Sequence, residues 1–197
     1  MSPKHSKHPI IKVGMKNLPN ALTLLRIAIL PFFALAIINN YHFTSVGFLV
    51  IAGITDYLDG YLARSQKQES NFGKLMDPVA DKLVLCISLI FLVANPFFNF
   101  SPWLASLLLA REFLITGIRA LIAAHGFIMG AQWLGKLKTT FQFLGLGFLF
   151  FGAGLNNNPG EWLMSSGIFM IWLSALLSYI SLFLYSKKAY FLLSTEN

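Results

Sequence analysis

Cysteine, charge and acidity are all scarce in this sequence, and each scarcity narrows what the protein can be. A single cysteine in 197 residues, Cys86, excludes an intrachain disulfide, and its apolar surroundings make it small core filler. Charged residues are only 12% of the chain against 56% hydrophobic, with mean hydropathy +0.65. That balance excludes an ordinary soluble domain and a disordered chain. Eight acids face 15 lysines and arginines, a formal net charge of +7. The basic residues are not clustered with stacking aromatics, so no nucleic-acid partner is expected. Anionic lipid headgroups and phosphorylated substrates suit the charge better. No A-x-A-like site ends the first apolar run, which argues against a cleavable signal peptide. Internal repeats and interrupted helices in matching positions, the marks of many transporters, are also missing.

Hydrophobic sequence is what the chain has in excess. After a basic juxtamembrane segment at 1–17, with four lysines and two histidines, six apolar stretches follow at about 18–38, 44–64, 75–93, 102–124, 137–153 and 162–185. The expected fold is an all-α integral membrane protein of six transmembrane helices, one membrane domain over 18–190. The loops around 39–44, 95–101 and 154–161 contain no lysine or arginine. The N-terminus, the 65–74 loop with the adjoining Arg64, the 126–138 loop and the C-terminus hold eleven of the fifteen. The positive-inside rule therefore puts both termini and the 65–74 loop on the cytoplasmic side of the inner membrane.

Four of the eight acids fall within 26 residues, as Asp56, Asp59, Asp77 and Asp81. Asp56 and Asp59 are three apart and Asp77 and Asp81 four apart, so each pair shares a helical face. Gly60 and Ala63 continue the first face without long side chains, leaving room for close approach. The polar run from Ser65 to Phe72, closed by Gly73, reads as a turn joining two facing helices. Four carboxylates at one spot would repel by several kcal/mol in a low-dielectric site. Divalent cations, which take hard oxygen ligands, relieve that repulsion. A polar seam or proton relay would need neither the small residues nor their spacing.

The pattern Asp56-x-x-Asp59-Gly60-x-x-Ala63-Arg64, eight residues, then Gly73-x-x-x-Asp77-x-x-x-Asp81 resembles the signature of the CDP-alcohol phosphotransferases, with every position and spacing present. The resemblance implies a membrane enzyme of phospholipid synthesis that uses Mg2+ or Mn2+, with two ions as the expected number. It implies metal ligation by Asp56, Asp59, Asp77 and Asp81, with Asp81 taking the proton from the acceptor hydroxyl. A carboxylate beside cations is a weak base, so positioning must supply much of its effect. CDP-diacylglycerol would contact Asn20, Thr23, Asp56, Gly60, Ala63, Arg64, Gly73 and Lys74. Asn20, Thr23 and Arg26 also lie at helical spacing on one face, and a helix cap plus a snorkelling arginine accounts for them equally.

The acceptor must be specified elsewhere. The stretches Asn17 to Arg26, Ala110-Arg111-Glu112, Arg119 and Gly135 to Thr140 resemble the branch of the family whose acceptor is sn-glycerol 3-phosphate. Arg111, Arg119, Lys136 and Lys138 would then bind the acceptor's phosphate dianion, which calls for several fixed cations. Anchoring at the membrane surface explains Lys136 and Lys138 as well, and a structural ion pair explains Arg111. Adjacent on one helix, Arg111 and Glu112 are not expected to face each other. A sister acceptor (serine, inositol phosphate or phosphatidylglycerol) and a transporter with an acidic intramembrane site are the alternatives. The resemblance also implies a homodimer, and Gly145, Gly147, Gly152 and Gly154 suit close helix packing of some kind.

Overall fold

The computed structural model describes residues 18–66, 71–125, 133–155 and 157–194, and the side chains of these apart from 18–23, 59–66, 71–78, 81, 134 and 193. Among them are six α-helices and no strand: α1 (Leu18–Ile38), α2 (His42–Gln66), α3 (Asn71–Ala94), α4 (Pro102–Ala124), α5 (Trp133–Leu155) and α6 (Asn158–Ser194), with a one-turn 3-10 helix at Pro96–Phe98. α1 and α4 have the bounds that the apolar runs suggest. α2 and α3 run further into the polar stretch than expected. The backbone is helical to Gln66 and again from Asn71, so Gly73 lies inside the first turn of α3 rather than closing a turn. Pro78, which a start at residue 75 would place in the first turn, is then the eighth residue of α3. There it withholds the N–H that would have met the Lys74 carbonyl.

Short connections make the helices alternate in direction. One end of the bundle carries the connections α1–α2, α3–α4 and α5–α6. Asn95 ties two of these together: its Nδ2 donates to the Ile37 carbonyl at 3.0 Å and to Asn40 Oδ1 at 2.9 Å. Its Oδ1 accepts from the Phe97 amide, capping the 3-10 turn. Asn40 and Asn99 have φ of 58° and 42°, the left-handed conformation that asparagine tolerates better than most residues. Ser101 Oγ caps α4 by accepting from the Leu104 amide, and Pro102 follows at the position where a missing N–H costs nothing. The core concentrates toward this end, where Phe33, Phe98 and Phe150 meet edge to face around Leu89, Leu92 and Leu104.

α1 packs along both α2 and α3, while α2 and α3 barely touch each other. α5 and α6 form the tightest pair. Their approach depends on glycine. A Cβ on Gly152 would stand 2.5 Å from the Gly160 carbonyl, and one on Gly167 would stand 2.6 Å from the Gly145 carbonyl. Of the four α5 glycines singled out from sequence, Gly145 and Gly152 serve this hairpin and Gly154 receives the ring of Phe43, while at Gly147 a Cβ would meet only Leu49, at 3.9 Å.

α6 has 37 residues, which at 1.5 Å each is about 55 Å, so it continues through Lys187 and Lys188 instead of ending before them. Among the described residues it is the one helix long and apolar enough to cross a membrane, over Asn158–Leu192. Leu24–Ile38, His42–Leu58 and Lys82–Ala94 are shorter apolar helical stretches. The outer surface is rich in exposed large apolar side chains, among them Phe32, Trp103, Phe113, Trp162, Phe169 and Phe183.

Candidate active site

The other end of the bundle gathers the charge. α2 ends and α3 begins there, so the backbones carrying Asp56, Asp59, Asp77 and Asp81 come to that end. Asp56 is described to its carboxylate, which is 55% exposed. The side chains of Asp59, Asp77 and Asp81, and those of Asn20, Thr23, Gly60, Ala63, Arg64, Gly73 and Lys74, lie outside the described residues.

Asp56 has a partner that holds it from the side. Arg26 of α1 is 3% exposed. Its Nε donates to Thr55 Oγ1 at 3.3 Å, and a terminal nitrogen lies 3.6 Å from Asp56 Oδ1. Thr55 Oγ1 in turn donates back to the Ile51 carbonyl at 2.8 Å. A fixed buried cation thus leans on one oxygen of Asp56 and leaves the rest of the carboxylate open. An exposed carboxylate such as that of Asp56 is a donor that suits a hard divalent cation such as Mg2+ or Mn2+. Among the described side chains alone, no three His, Cys, Asp or Glu gather as a metal site. Beside Asp56, Tyr57 begins an apolar groove of about 720 Å³ between α2 and α5, lined further by Val50, Ile54, Phe143, Phe148 and Phe151.

The predicted acceptor cations fall into two linked groups. Arg111 is 3% exposed, and its Nε donates to the Ser178 carbonyl of α6 at 3.1 Å. Its guanidinium also pairs with Glu112 Oε1 at 2.9 Å. Adjacent residues on one helix therefore do meet, contrary to the expectation from helical geometry. The Glu112 side chain is only 14% exposed, and the long arginine reaches back to it instead of projecting along its own Cβ direction. The same Glu112 oxygen accepts from Lys138 of α5, which is buried as well. Arg119 lies two turns further along α4; it donates to the Tyr185 hydroxyl at 3.1 Å, with its guanidinium 5.1 Å from the centre of the Tyr185 ring. Lys136 is exposed, and no hydrogen bond or ion pair among the described residues joins its side chain to the group.

Three participants were not anticipated. Lys82, next in sequence to Asp81, hydrogen-bonds Thr116 of α4 and so joins the aspartate-bearing helix to the cationic group. Its place beside Asp81 was the available signal. Thr55 and Tyr185 carried none, because their partners are 29 and 66 residues away. Lys82 of α3, Arg111 and Arg119 of α4 and Lys138 of α5 thus gather on neighbouring helices, and Glu112 accepts from two of them, Arg111 and Lys138.

Gathered cations, Arg111 and Lys138 buried among them, beside aspartate-bearing helices suit a helical transferase site for phosphorylated compounds. Sequence comparison gives the same class a name: residues 16–180 match the CDP-alcohol phosphatidyltransferase family, and the chain belongs to it. Similar proteins include a Bacillus subtilis (strain 168) CDP-diacylglycerol–glycerol-3-phosphate 3-phosphatidyltransferase, 34% identical over 93% of this chain and 100% of the relative. A Rickettsia typhi relative of the same name is 38% identical over 90% of this chain and 100% of its own. One from Haemophilus influenzae is 34% identical over 88% and 93%.

Proposed function

We propose that this protein transfers a phosphatidyl group from CDP-diacylglycerol to sn-glycerol 3-phosphate, giving phosphatidylglycerophosphate and CMP. The observation that carries the acceptor assignment is the gathering of Lys82, Arg111, Arg119 and Lys138 on neighbouring helices, where Glu112 pairs with only Arg111 and Lys138. Serine has no phosphate to neutralise such a group. The names of the relatives agree with this acceptor.

In this reading the nucleotide-lipid lies with its acyl chains against the α2–α5 groove and its diphosphate at the aspartates. Mg2+ or Mn2+, held by Asp56, Asp59, Asp77 and Asp81, supplies charge neutralisation at the diphosphate when bound. Arg26 fixes Asp56 in place, and the cations of α3 to α6 hold the phosphate of glycerol 3-phosphate so that its hydroxyl points at the lipid-side phosphorus. A new phosphorus–oxygen bond forms there, the bond to CMP breaks, and the hydroxyl proton passes to Asp81. The working protein is a multi-pass membrane enzyme of six spans, with both termini and the site facing the cytoplasm, and it assembles as a homodimer.

The test is CMP release by purified protein given CDP-diacylglycerol, Mg2+ and one acceptor at a time. Glycerol 3-phosphate should support turnover, and Asp56→Asn should abolish it while leaving the protein folded. Turnover with serine, inositol phosphate or phosphatidylglycerol in place of glycerol 3-phosphate would refute the acceptor. Full activity in excess EDTA would refute the metal.

A further inference from the structure

α6 carries a polar stripe that the chemistry above does not use. Ser174, Ser178, Ser181 and Tyr185, spaced 4, 3 and 4 residues apart, share one face of an otherwise apolar helix, and none is more than 1% exposed. Two members have evident tasks. Ser174 Oγ donates to the Lys138 carbonyl at 2.9 Å, and Tyr185 receives Arg119. Among the described residues the hydroxyls of Ser178 and Ser181 have no hydrogen-bond partner, although a helical serine has its own i−4 carbonyl within reach. Buried polar atoms left unsatisfied cost stability, and two side by side need a reason.

Their position supplies one. α4 and α6 run in the same direction, with Arg111 meeting Ser178 and Arg119 meeting Tyr185. Ser181 lies between those two contacts along α6, so its hydroxyl stands level with the gap between the two arginines. Gln142, one turn along α5 from Lys138, adds a third orphan, an unpartnered buried Nε2. Three unfilled donors thus lie on the helices that bear Lys138 or meet Arg111 and Arg119.

We propose that the hydroxyls of Ser178 and Ser181 are hydrogen-bond donors held for the phosphate monoester of the acceptor, and that Tyr185 is a positioning residue that fixes the Arg119 guanidinium toward the same phosphate. α6 is then the inner wall of the acceptor pocket as well as a membrane span. The inference rests on the acceptor reading above. A hydroxyl suits this place because it donates to phosphate without adding a fifth charge to a group that already holds four.

Apparent KM values for glycerol 3-phosphate and for CDP-diacylglycerol test it, measured by CMP release in detergent together with the melting midpoint of each variant. Ser178→Ala/Ser181→Ala should raise the KM for glycerol 3-phosphate roughly 10-fold or more, the weight of a hydrogen bond to a charged group. The KM for CDP-diacylglycerol should stay within about twofold, since only acceptor contacts are lost. Tyr185→Phe keeps the ring and loses the hydroxyl, and should raise the KM for glycerol 3-phosphate by roughly 3- to 10-fold, the range of one net hydrogen bond. Unchanged KM values in the serine variant would make the stripe mere helix packing and overturn the proposal. So would a rise in the KM for CDP-diacylglycerol alone, which would give the hydroxyls to the diphosphate, or an equal rise in both. A wild-type protein that never accepts glycerol 3-phosphate would instead overturn the acceptor reading, and this inference with it.

Discussion

Glu112 is the residue whose loss should cost most for its size. One of its oxygens serves both Arg111 and Lys138, and the three side chains are 14%, 3% and 8% exposed. Glu112→Gln keeps the shape and removes the only carboxylate described in the group, leaving two buried cations uncompensated. Breaking a buried pair from one side costs about 3–5 kcal/mol. At 1.4 kcal/mol per decade that is roughly a 140- to 3,700-fold loss in the folded-to-unfolded ratio. Lys138→Met is the control with the opposite logic: it leaves Glu112 paired with Arg111, so it should cost clearly less. The double variant Glu112→Gln/Lys138→Met strands one cation rather than two and should be more stable than Glu112→Gln alone. Denaturant-induced unfolding in detergent, followed by the fluorescence of the four tryptophans, would read all three. A Glu112→Gln midpoint within about 0.5 kcal/mol of wild type, the usual range of a surface substitution, would refute the reasoning and mean that water reaches the cluster freely.

The hairpin of α5 and α6 gives a paired prediction: Gly152→Ala forces a Cβ to 2.5 Å from the Gly160 carbonyl and should cost about 1–3 kcal/mol in the same unfolding assay. Gly47→Ala meets nothing within 4 Å on α2 and should be neutral or stabilising by up to about 1 kcal/mol. Arg119→Ala should raise the KM for glycerol 3-phosphate by roughly 10- to 150-fold with little change for CDP-diacylglycerol, and Arg119→Lys should recover only part, because a point charge replaces the planar fork. For topology, in a Cys86→Ser background, a cysteine at Ser70 should react with a membrane-impermeant thiol reagent only from the cytoplasmic side and one at Asn157 only from the outside. The reverse labelling pattern would overturn the orientation.

The sequence marked helices well where hydropathy and punctuation agree, as at Pro102 and Asn95-Pro96, and less well where polar residues are also good helix formers. Gln66 and Lys74 continue their helices although their polarity suggested a turn. Lys187 and Lys188 sit inside α6 for the same reason. Partners across helices were the main loss. Arg26 with Thr55, Arg119 with Tyr185 and Lys138 with Glu112 are set by packing between elements that no local pattern relates. Arg111 with Glu112 was lost to a rule about neighbouring Cβ directions, which a side chain as long as arginine can evade.

The serine stripe has the 4, 3 and 4 spacing of one helical face, but its hydroxyls carry no charge to set them apart from ordinary small residues. Its placement shows how α6 divides its work. Gly160 and Gly167 belong to the half of the helix that lies near the asparagine-linked end, where backbone-to-backbone approach against α5 sets the packing. From Ser174 onward hydroxyls join the small residues of this face, with Ser174 Oγ donating to the Lys138 carbonyl of α5 and the Ser178 carbonyl accepting from Arg111 of α4. Small side chains are needed in both halves, since α5 must come close throughout. An alanine at Ser181 would allow a similar helix approach while giving the gap between Arg111 and Arg119 no donor, so under the proposal above it is the hydroxyl, not the size, of Ser181 that serves binding.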